Sequence, residues 1–239
     1  MNKVRTDSVP TILVDAGNFA TADNDAEALP RRELLTNFFK DQHYDAVTLG
    51  EQELTSPLTT WIEAGEHGLP VVAANLYKGA RSKKPVFEPY CWVERNGVRM
   101  AVVGLVPERV VAKSPDSLEL RVTSPYEQQK LMRKLEKRSD YLAIIGDFLP
   151  AEGEALAAAY PYADIIVSSN PAAFKTMHFG MVTMAACGGK GYYGDYMQMP
   201  VVRSDTTAVS SVRETLDSKV PVDTTYEAQI ARANIKPRK

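Results

Sequence analysis

Apolar runs alternate with helical spacing along the first third of the chain. Thr11-Ile12-Leu13-Val14-Asp15 reads as a buried strand closed by Ala16-Gly17-Asn18. Residues 30–41 follow with Leu34, Leu35, Phe38 and Phe39 at helical spacing and Pro30 in the opening turn, where a missing N–H is harmless. Ala46-Val47-Thr48-Leu49 is the next strand, closed by Gly50; residues 55–65, opened by Ser56-Pro57, are a weaker helix; Pro70-Val71-Val72-Ala73-Ala74-Asn75 is a third strand. This β-α-β-α-β order predicts a largely parallel sheet covered by helices.

The pattern then changes. Val86–Val93 and Val98–Val106 are strand runs joined by Glu94-Arg95-Asn96-Gly97, and Asn-Gly predicts a hairpin. Ser124-Pro125-Tyr126-Glu127 has the form of a capping box and predicts a helix start, with Leu131 and Leu135 one turn apart. The basic strip of that helix (Lys130, Arg133, Lys134, Lys137, Arg138) is read as a solvated face. Tyr141–Gly146 is a strand ending at Asp147, an alanine-rich helix spans 151–159, and Asp164-Ile165-Ile166-Val167 is a strand ending in Ser168-Ser169-Asn170-Pro171. Met181–Ala186 and Tyr193–Arg203 are strands around a glycine-rich turn. A strand near Ala208–Val212 and a short helix near Tyr226–Ala233 complete the chain. The expected fold class is α/β, a sandwich of mixed sheets flanked by helices. Residues 1–203 form the main domain, and 204–239 a C-terminal extension packed on it.

Charge and composition narrow the function. In 239 residues, 28 basic and 30 acidic side chains leave a net charge of −2, so no general basic field is available to hold nucleic acid. No apolar run approaches the ~20 residues that span a bilayer, and Met1–Asp7 lacks the apolar stretch of a signal peptide. Cys91 and Cys187 form no metal or haem motif and read as two small apolar side chains, with a disulfide as the other possibility. His43, His67 and His178 lie far apart in sequence, which weighs against a histidine-rich metal centre.

The informative feature is where polar residues fall. Gly17-Asn18, Gly50-Glu51-Gln52-Glu53, Asn75, Gly146-Asp147 and Ser169-Asn170 all follow strands. Ligands of open α/β sheets bind at the carboxyl ends of strands, so these segments predict one shared cleft.

Over roughly residues 11–202, the order and spacing of these segments resemble the metallophosphoesterase (calcineurin-like) domain, in its bacterial 5′-nucleotidase and UDP-sugar hydrolase branch. Leu13–Asn18 sits at the family's strand ending in Gly-Asp, Thr48–Glu53 at its Gly-Asn-His-Glu, and Pro70–Asn75 at the strand before its Asn-Leu pair. Gly97–Leu105 resembles its hairpin strand. Tyr141–Gly146 is similar to the strand that ends in a metal-binding histidine, Asp164–Ala172 to its Asp-x-Ile-x-x-Gly-His-x-His, and Cys187–Gly194 to its glycine-rich turn. The family's opening Asp-x-His strand has no counterpart, because the chain starts just before the second strand.

That family's chemistry uses two adjacent metal ions to orient phosphate, activate hydroxide and stabilise the leaving oxygen. Transferred position by position, the resemblance puts Asn18 where a bridging aspartate stands and Glu51-Gln52 at the Asn-His pair. Gly146 or Asp147 replaces the lone histidine, and Ser169-Asn170-Pro171-Ala172 the Gly-His-x-His; only Glu53 and Asn75 match. An amide in place of imidazole cannot protonate a leaving group.

The expectation is therefore a 5′-nucleotidase-like domain that acts as a non-catalytic binding or structural module, without a cofactor. One alternative is a phosphoester hydrolase with substituted ligands, in which Asp15, Glu51 and Asp147 hold a divalent cation (Mg, Mn, Ca or Zn). Another is a metal-free nucleotide or anion binder using the turn Gly188-Gly189-Lys190-Gly191. The resemblance also implies a periplasmic or cell-envelope setting and fusion or association with modules such as multihaem cytochromes. An open edge beside the Ile12 strand would offer a dimer contact.

Overall fold

The computed structural model describes residues 10–20, 28–173, 175–186, 193–200, 209–215 and 224–233. The first part of the chain runs β1 (Val14–Asp15), α1 (Ala28–Asp41), β2 (Ala46–Val47), α2 (Glu51–Leu54), α3 (Leu58–Glu66) and β3 (Leu76–Lys78). Next come β4 (Tyr90–Arg95), β5 (Val98–Gly104), α4 (Glu108–Val111), β6 (Leu120–Val122), α5 (Gln129–Glu136), β7 (Tyr141–Gly146) and α6 (Pro150–Ala159). The last elements are β8 (Ile165–Ser168), β9 (Met177–Phe179), β10 (Val182–Ala186), β11 (Tyr193–Gln198), β12 (Ser210–Thr215) and α7 (Thr224–Arg232).

The main sheet has the order β4-β5-β7-β8-β10-β9. Its inner pairs, β5–β7, β7–β8 and β8–β10, are parallel, while β4 and β9 are antiparallel edges. β1 pairs in parallel with β2, and Val71 adds a parallel bridge to Val47. The segment 70–75 thus runs beside β2 through a single bridge at Val71, while Val72 bridges Glu88, rather than forming the full strand the sequence predicts.

Alternation along the central strands explains the layers. Ala101 and Val103 of β5 and Leu142 and Ile144 of β7 join the core under α5 and α6, with Met132, Leu135 and Leu156. Their neighbours Met100, Val102, Tyr141, Ala143 and Ile145 point to the other face, against Ala16, Ala46 and Val72. Both faces are covered, as a central parallel sheet requires. A third cluster joins Phe39, Leu54, Leu58, Trp61, Leu69 and Val110 beneath α1, α3 and α4. The result is an α/β sandwich of mixed sheets between helical layers. Two described parts of the C-terminal extension touch this body: Val209 is in the inter-sheet cluster, and the Tyr226 ring meets Phe38 edge-on at 5.0 Å.

The capping box at Ser124 is a correction. Ser124 Oγ accepts from Tyr126 N at 3.3 Å and Glu127 N donates to Ser124 O, so these residues form a turn. The buried Tyr160 hydroxyl holds that turn open, accepting from Gln128 N at 2.8 Å and donating to Pro125 O at 2.6 Å. The helix starts only at Gln129. Tertiary contact here overrides a local signal. The hairpin holds as predicted: Asn96 (φ 50°) and Gly97 (φ 79°) both have positive φ, as a tight two-residue loop requires.

β1 and β2 deliver their following loops to the same place through a backbone approach at Gly17. This residue has φ 97°, and a Cβ there would lie 2.4 Å from Gly50 N. Gly17→Ala is therefore expected to destabilise the fold by roughly 2–4 kcal/mol, combining left-handed strain with a backbone clash. Gly79→Ala, at φ 85° with open space around it, should lose only about 1 kcal/mol. Urea unfolding of both variants measures the difference.

Candidate functional site

The carboxyl ends of β1, β2, β5, β7 and β8 bring five loops together, and a buried carboxylate ties the first two. Gly17 and Asn18 are both left-handed, at φ 97° and 60°, so the chain turns sharply after β1. Asparagine tolerates that conformation better than a branched residue. The turn points Asn18 N at Glu53 Oε2, 2.7 Å away; Ala20 N donates to Glu53 Oε1 at 2.7 Å, and Gly50 N to Oε2 at 2.8 Å. Glu53 is fully buried. It sits at the third position of α2, so its reach back to Gly50 also caps that helix. Its carbonyl accepts from the Trp61 indole at 2.6 Å, fastening α2 to α3.

A second group forms where β7 and β8 end. Asp147, buried at 1% exposure, accepts from Asn170 Nδ2 at 2.7 Å and Arg109 Nη2 at 3.1 Å. Glu51 N donates to its other oxygen at 3.4 Å. Arg109 comes from α4, directly after β5, and its Nε also meets Glu152 of α6 at 3.2 Å. Glu152 in turn accepts from Leu149 N at 2.8 Å, capping α6. Lys113 pairs with Glu51 at 2.6 Å. Asn18 joins the two groups, since its Nδ2 donates to Ser169 Oγ at 3.2 Å and its Oδ1 accepts from Gln52 N at 3.1 Å.

The predicted positions thus separate into two sets. Asn18, Glu51, Gln52, Glu53, Asp147 and Asn170 converge. Asn75 is a fully buried clamp, with Nδ2 donating to Val106 O and Thr123 O and Oδ1 accepting from Val106 N, all at 2.8 Å. Ala172 is exposed and donates its N–H to Asn170 Oδ1 at 3.0 Å. Gly146 is small because a Cβ would lie 2.4 Å from Leu105 O and from the Phe148 ring. Asp15 accepts from Gly17 N at 2.8 Å, beside Glu53. Cys187 and the candidate anion turn Gly188, Gly189, Lys190 and Gly191 lie outside the described residues. Sequence reasoning missed Arg109, Lys113 and Glu152. The strand-end rule applied after β5, to Pro107-Glu108-Arg109, was the signal that could have found the first of them.

Electrostatics distinguish the carboxylates. Burial alone would raise Asp147, but hydrogen bonds from Arg109, Asn170 and Asn18 outweigh it and hold this carboxyl below its ordinary value. Burial raises Glu53 despite its three amide donors. Burial, with a smaller push from Glu53, raises Asp15 to about 7, although the residue as a whole keeps partial exposure.

Comparison with known proteins places this geometry. The chain is similar to a solved 5′-nucleotidase precursor of Thermus thermophilus, with a TM-score of 0.78 and 17% identity over 97% of this chain and 50% of that one. The fold is that of the 5′-nucleotidase metallophosphoesterases. The same fold recurs in a sulfate thiohydrolase, also of Thermus thermophilus, at TM-score 0.73 and 16% identity, covering 93% of this chain and 42% of that one. By sequence, a 66-residue stretch is 38% identical to a 5′-nucleotidase of Vibrio cholerae, which is 27% of this chain and 12% of the relative. This chain matches about half the length of these solved neighbours and a smaller part of the curated relative. No family model matches it.

The 5′-nucleotidase fold implies a pair of metal ions at these strand ends, and the residues present do not fit one. The position that the sequence resemblance assigns to a bridging aspartate carries the uncharged Asn18, whose amide is engaged by Ser169 and Gln52. Glu53 is saturated by backbone N–H groups, and Asp147 is taken by a guanidinium and an amide. Among the described residues, no three His, Cys, Asp or Glu side chains are placed to hold an ion.

The raised Asp15 gives a pH signature. A carboxyl whose folded value exceeds its ordinary 3.8 adds stability below about pH 4 and loses it as pH rises toward 7. Asp15→Asn keeps the acceptor for Gly17 N and removes the charge. Its thermal midpoint should match the parent below about pH 4, exceed it increasingly as pH rises to about 7, and keep that margin above it. A midpoint difference that does not change with pH would contradict this assignment.

Proposed function

We propose that this chain is a metal-independent, non-catalytic module built on the 5′-nucleotidase fold, with a binding or structural role. The observation that carries this reading is the state of Asp147. At the strand end where the resemblance expects a metal-binding imidazole, this carboxylate is buried against Arg109 and Asn170.

The histidines support it. His43 lies in the turn before β2, at the opposite end of that strand from the crevice. His67 follows α3 and its Nδ1 pairs with Glu63 O at 2.7 Å. His178 is on β9, with Nδ1 3.1 Å from Thr183 Oγ1. No imidazole therefore reaches the strand ends to protonate a leaving oxygen. The sulfate thiohydrolase among the neighbours shows that the fold does not fix a substrate, so activity has to be read from side chains.

One observation favours a second reading. Of the candidate ligands Asp15, Glu51 and Asp147, Glu51 and Asp147 approach each other in the crevice, and hard cations bind carboxylates. A rebuilt hydrolase site using Mg²⁺, Mn²⁺, Ca²⁺ or Zn²⁺ is the rival. An anion-binding crevice is less favoured, because Arg109 and Lys113 are both already paired with carboxylates.

The setting we propose is the bacterial cell envelope, by analogy with the neighbour described as a precursor. Partnership with multihaem cytochrome modules is part of this reading through the sequence resemblance. Among the described residues, no helix is long and apolar enough to cross a membrane.

The deciding assay presents an aryl phosphate and several nucleotides to the purified chain with each of the four cations in turn. The expected result is no turnover above buffer. Turnover that needs a cation and disappears in Glu51→Ala and Asp147→Ala would establish the rival.

A further inference from the structure

The contacts of Arg109 go further than excluding a metal. Three separate elements meet on its guanidinium: α4, which carries it; Asp147, after β7; and Glu152, in the first turn of α6. Nη2 lies 3.1 Å from Asp147 Oδ1 and 3.3 Å from Glu152 Oε2, and it also donates to the Asp147 carbonyl. Nη1 reaches Asp147 Oδ2 at 3.5 Å, and Nε reaches both Glu152 oxygens at 3.2 and 3.4 Å. The Asp147 side chain is 1% exposed, that of Arg109 29% and that of Glu152 23%.

Two carboxylates and a carbonyl around one positive centre form a donor set that a hard divalent ion also accepts. Here the positive centre belongs to the chain. A guanidinium suits the task because its planar fork serves two carboxylates at once and stays charged at every physiological pH. An incoming ion would have to strip it from a buried carboxylate, and breaking a buried pair is strongly unfavourable.

We infer that Arg109 is the built-in cation of this crevice, seated between Asp147 and Glu152 and filling the charge role that a bound metal would otherwise take. This rests on the metal-independent reading above. It adds that the acidic groups keep their affinity for a cation and that Arg109 satisfies it. The residue acts through position and charge, and no chemical step is assigned to it.

The test uses the full chain with Mn²⁺ as probe, reading binding by equilibrium dialysis and stability by thermal midpoint. The parent and Arg109→Lys should hold no stoichiometric Mn²⁺ and show no midpoint change with it. Arg109→Gln should melt lower than the parent without metal. It should bind Mn²⁺ at least ~10-fold more tightly than the parent and recover by several degrees when Mn²⁺ is added. Adding Asp147→Asn to Arg109→Gln should abolish that gain. If Arg109→Gln is unfolded alone, refolding with Mn²⁺ but not with NaCl of equal ionic strength supports the inference; no recovery contradicts it. An Arg109→Gln chain no more responsive to Mn²⁺ than an inert parent overturns the built-in cation alone. A parent that binds Mn²⁺ and hydrolyses phosphate esters overturns the metal-independent reading beneath it.

Discussion

Glu53 places a carboxylate with no solvent exposure among the backbone amides of Asn18, Ala20 and Gly50. Those amides belong to the turns after β1 and β2, so one side chain fixes how two adjacent strand ends present their loops. The close approach of Gly17 to Gly50 and the left-handed Asn18 follow from that fastening. Burial works against the charge and pushes the Glu53 carboxyl above its ordinary value. The group is tolerated because breaking its bonds would leave buried donors unpaired. Its neighbour Asp15 feels the same enclosure without the same number of partners.

The rest of the crevice is organised by charge pairing across loops distant in sequence. Arg109 and Lys113 face Asp147, Glu152 and Glu51, so each cation has a carboxylate within hydrogen-bond distance. The side-chain amides of Asn18 and Asn170 bond between them, with the backbone N–H of Gln52 donating to Asn18. In a hydrolase of this fold the corresponding space has to present open coordination positions and a proton donor. Here Asp147, Glu152 and Glu51 are instead bonded to Arg109, Asn170 and Lys113, and it is on this pairing that the proposed non-catalytic role rests.

Much of the fold was legible from periodicity. Tyr141–Gly146 was recovered as a strand because six consecutive small or apolar residues are bounded by polar ones. The hairpin at Asn96-Gly97 was recovered because its turn chemistry is specific. Three kinds of element were not legible. The one-turn helices α2 and α4 are too short to show a period, and the β3–β6 ribbon pairs Leu76–Lys78 with residues more than forty positions away. The start of α5 is set by the hydroxyl of Tyr160, from another helix's end. The candidate site divides in the same way. Glu51, Glu53, Asp147 and Asn170 were found because they end strands. Arg109 and Glu152 matter only because distant loops meet, which spacing along the chain does not encode. Asn75 had the right position and a different task, because its side chain turns into the backbone of Val106 and Thr123.

The most direct check on this account is the metal content of the purified chain, measured by elemental analysis after dialysis against metal-free buffer. Expression in medium supplemented with manganese and zinc gives any binding site the chance to fill. The account expects far less than one transition-metal ion per chain. Two ions retained per chain, lost when Asp147 is replaced by alanine, would contradict it.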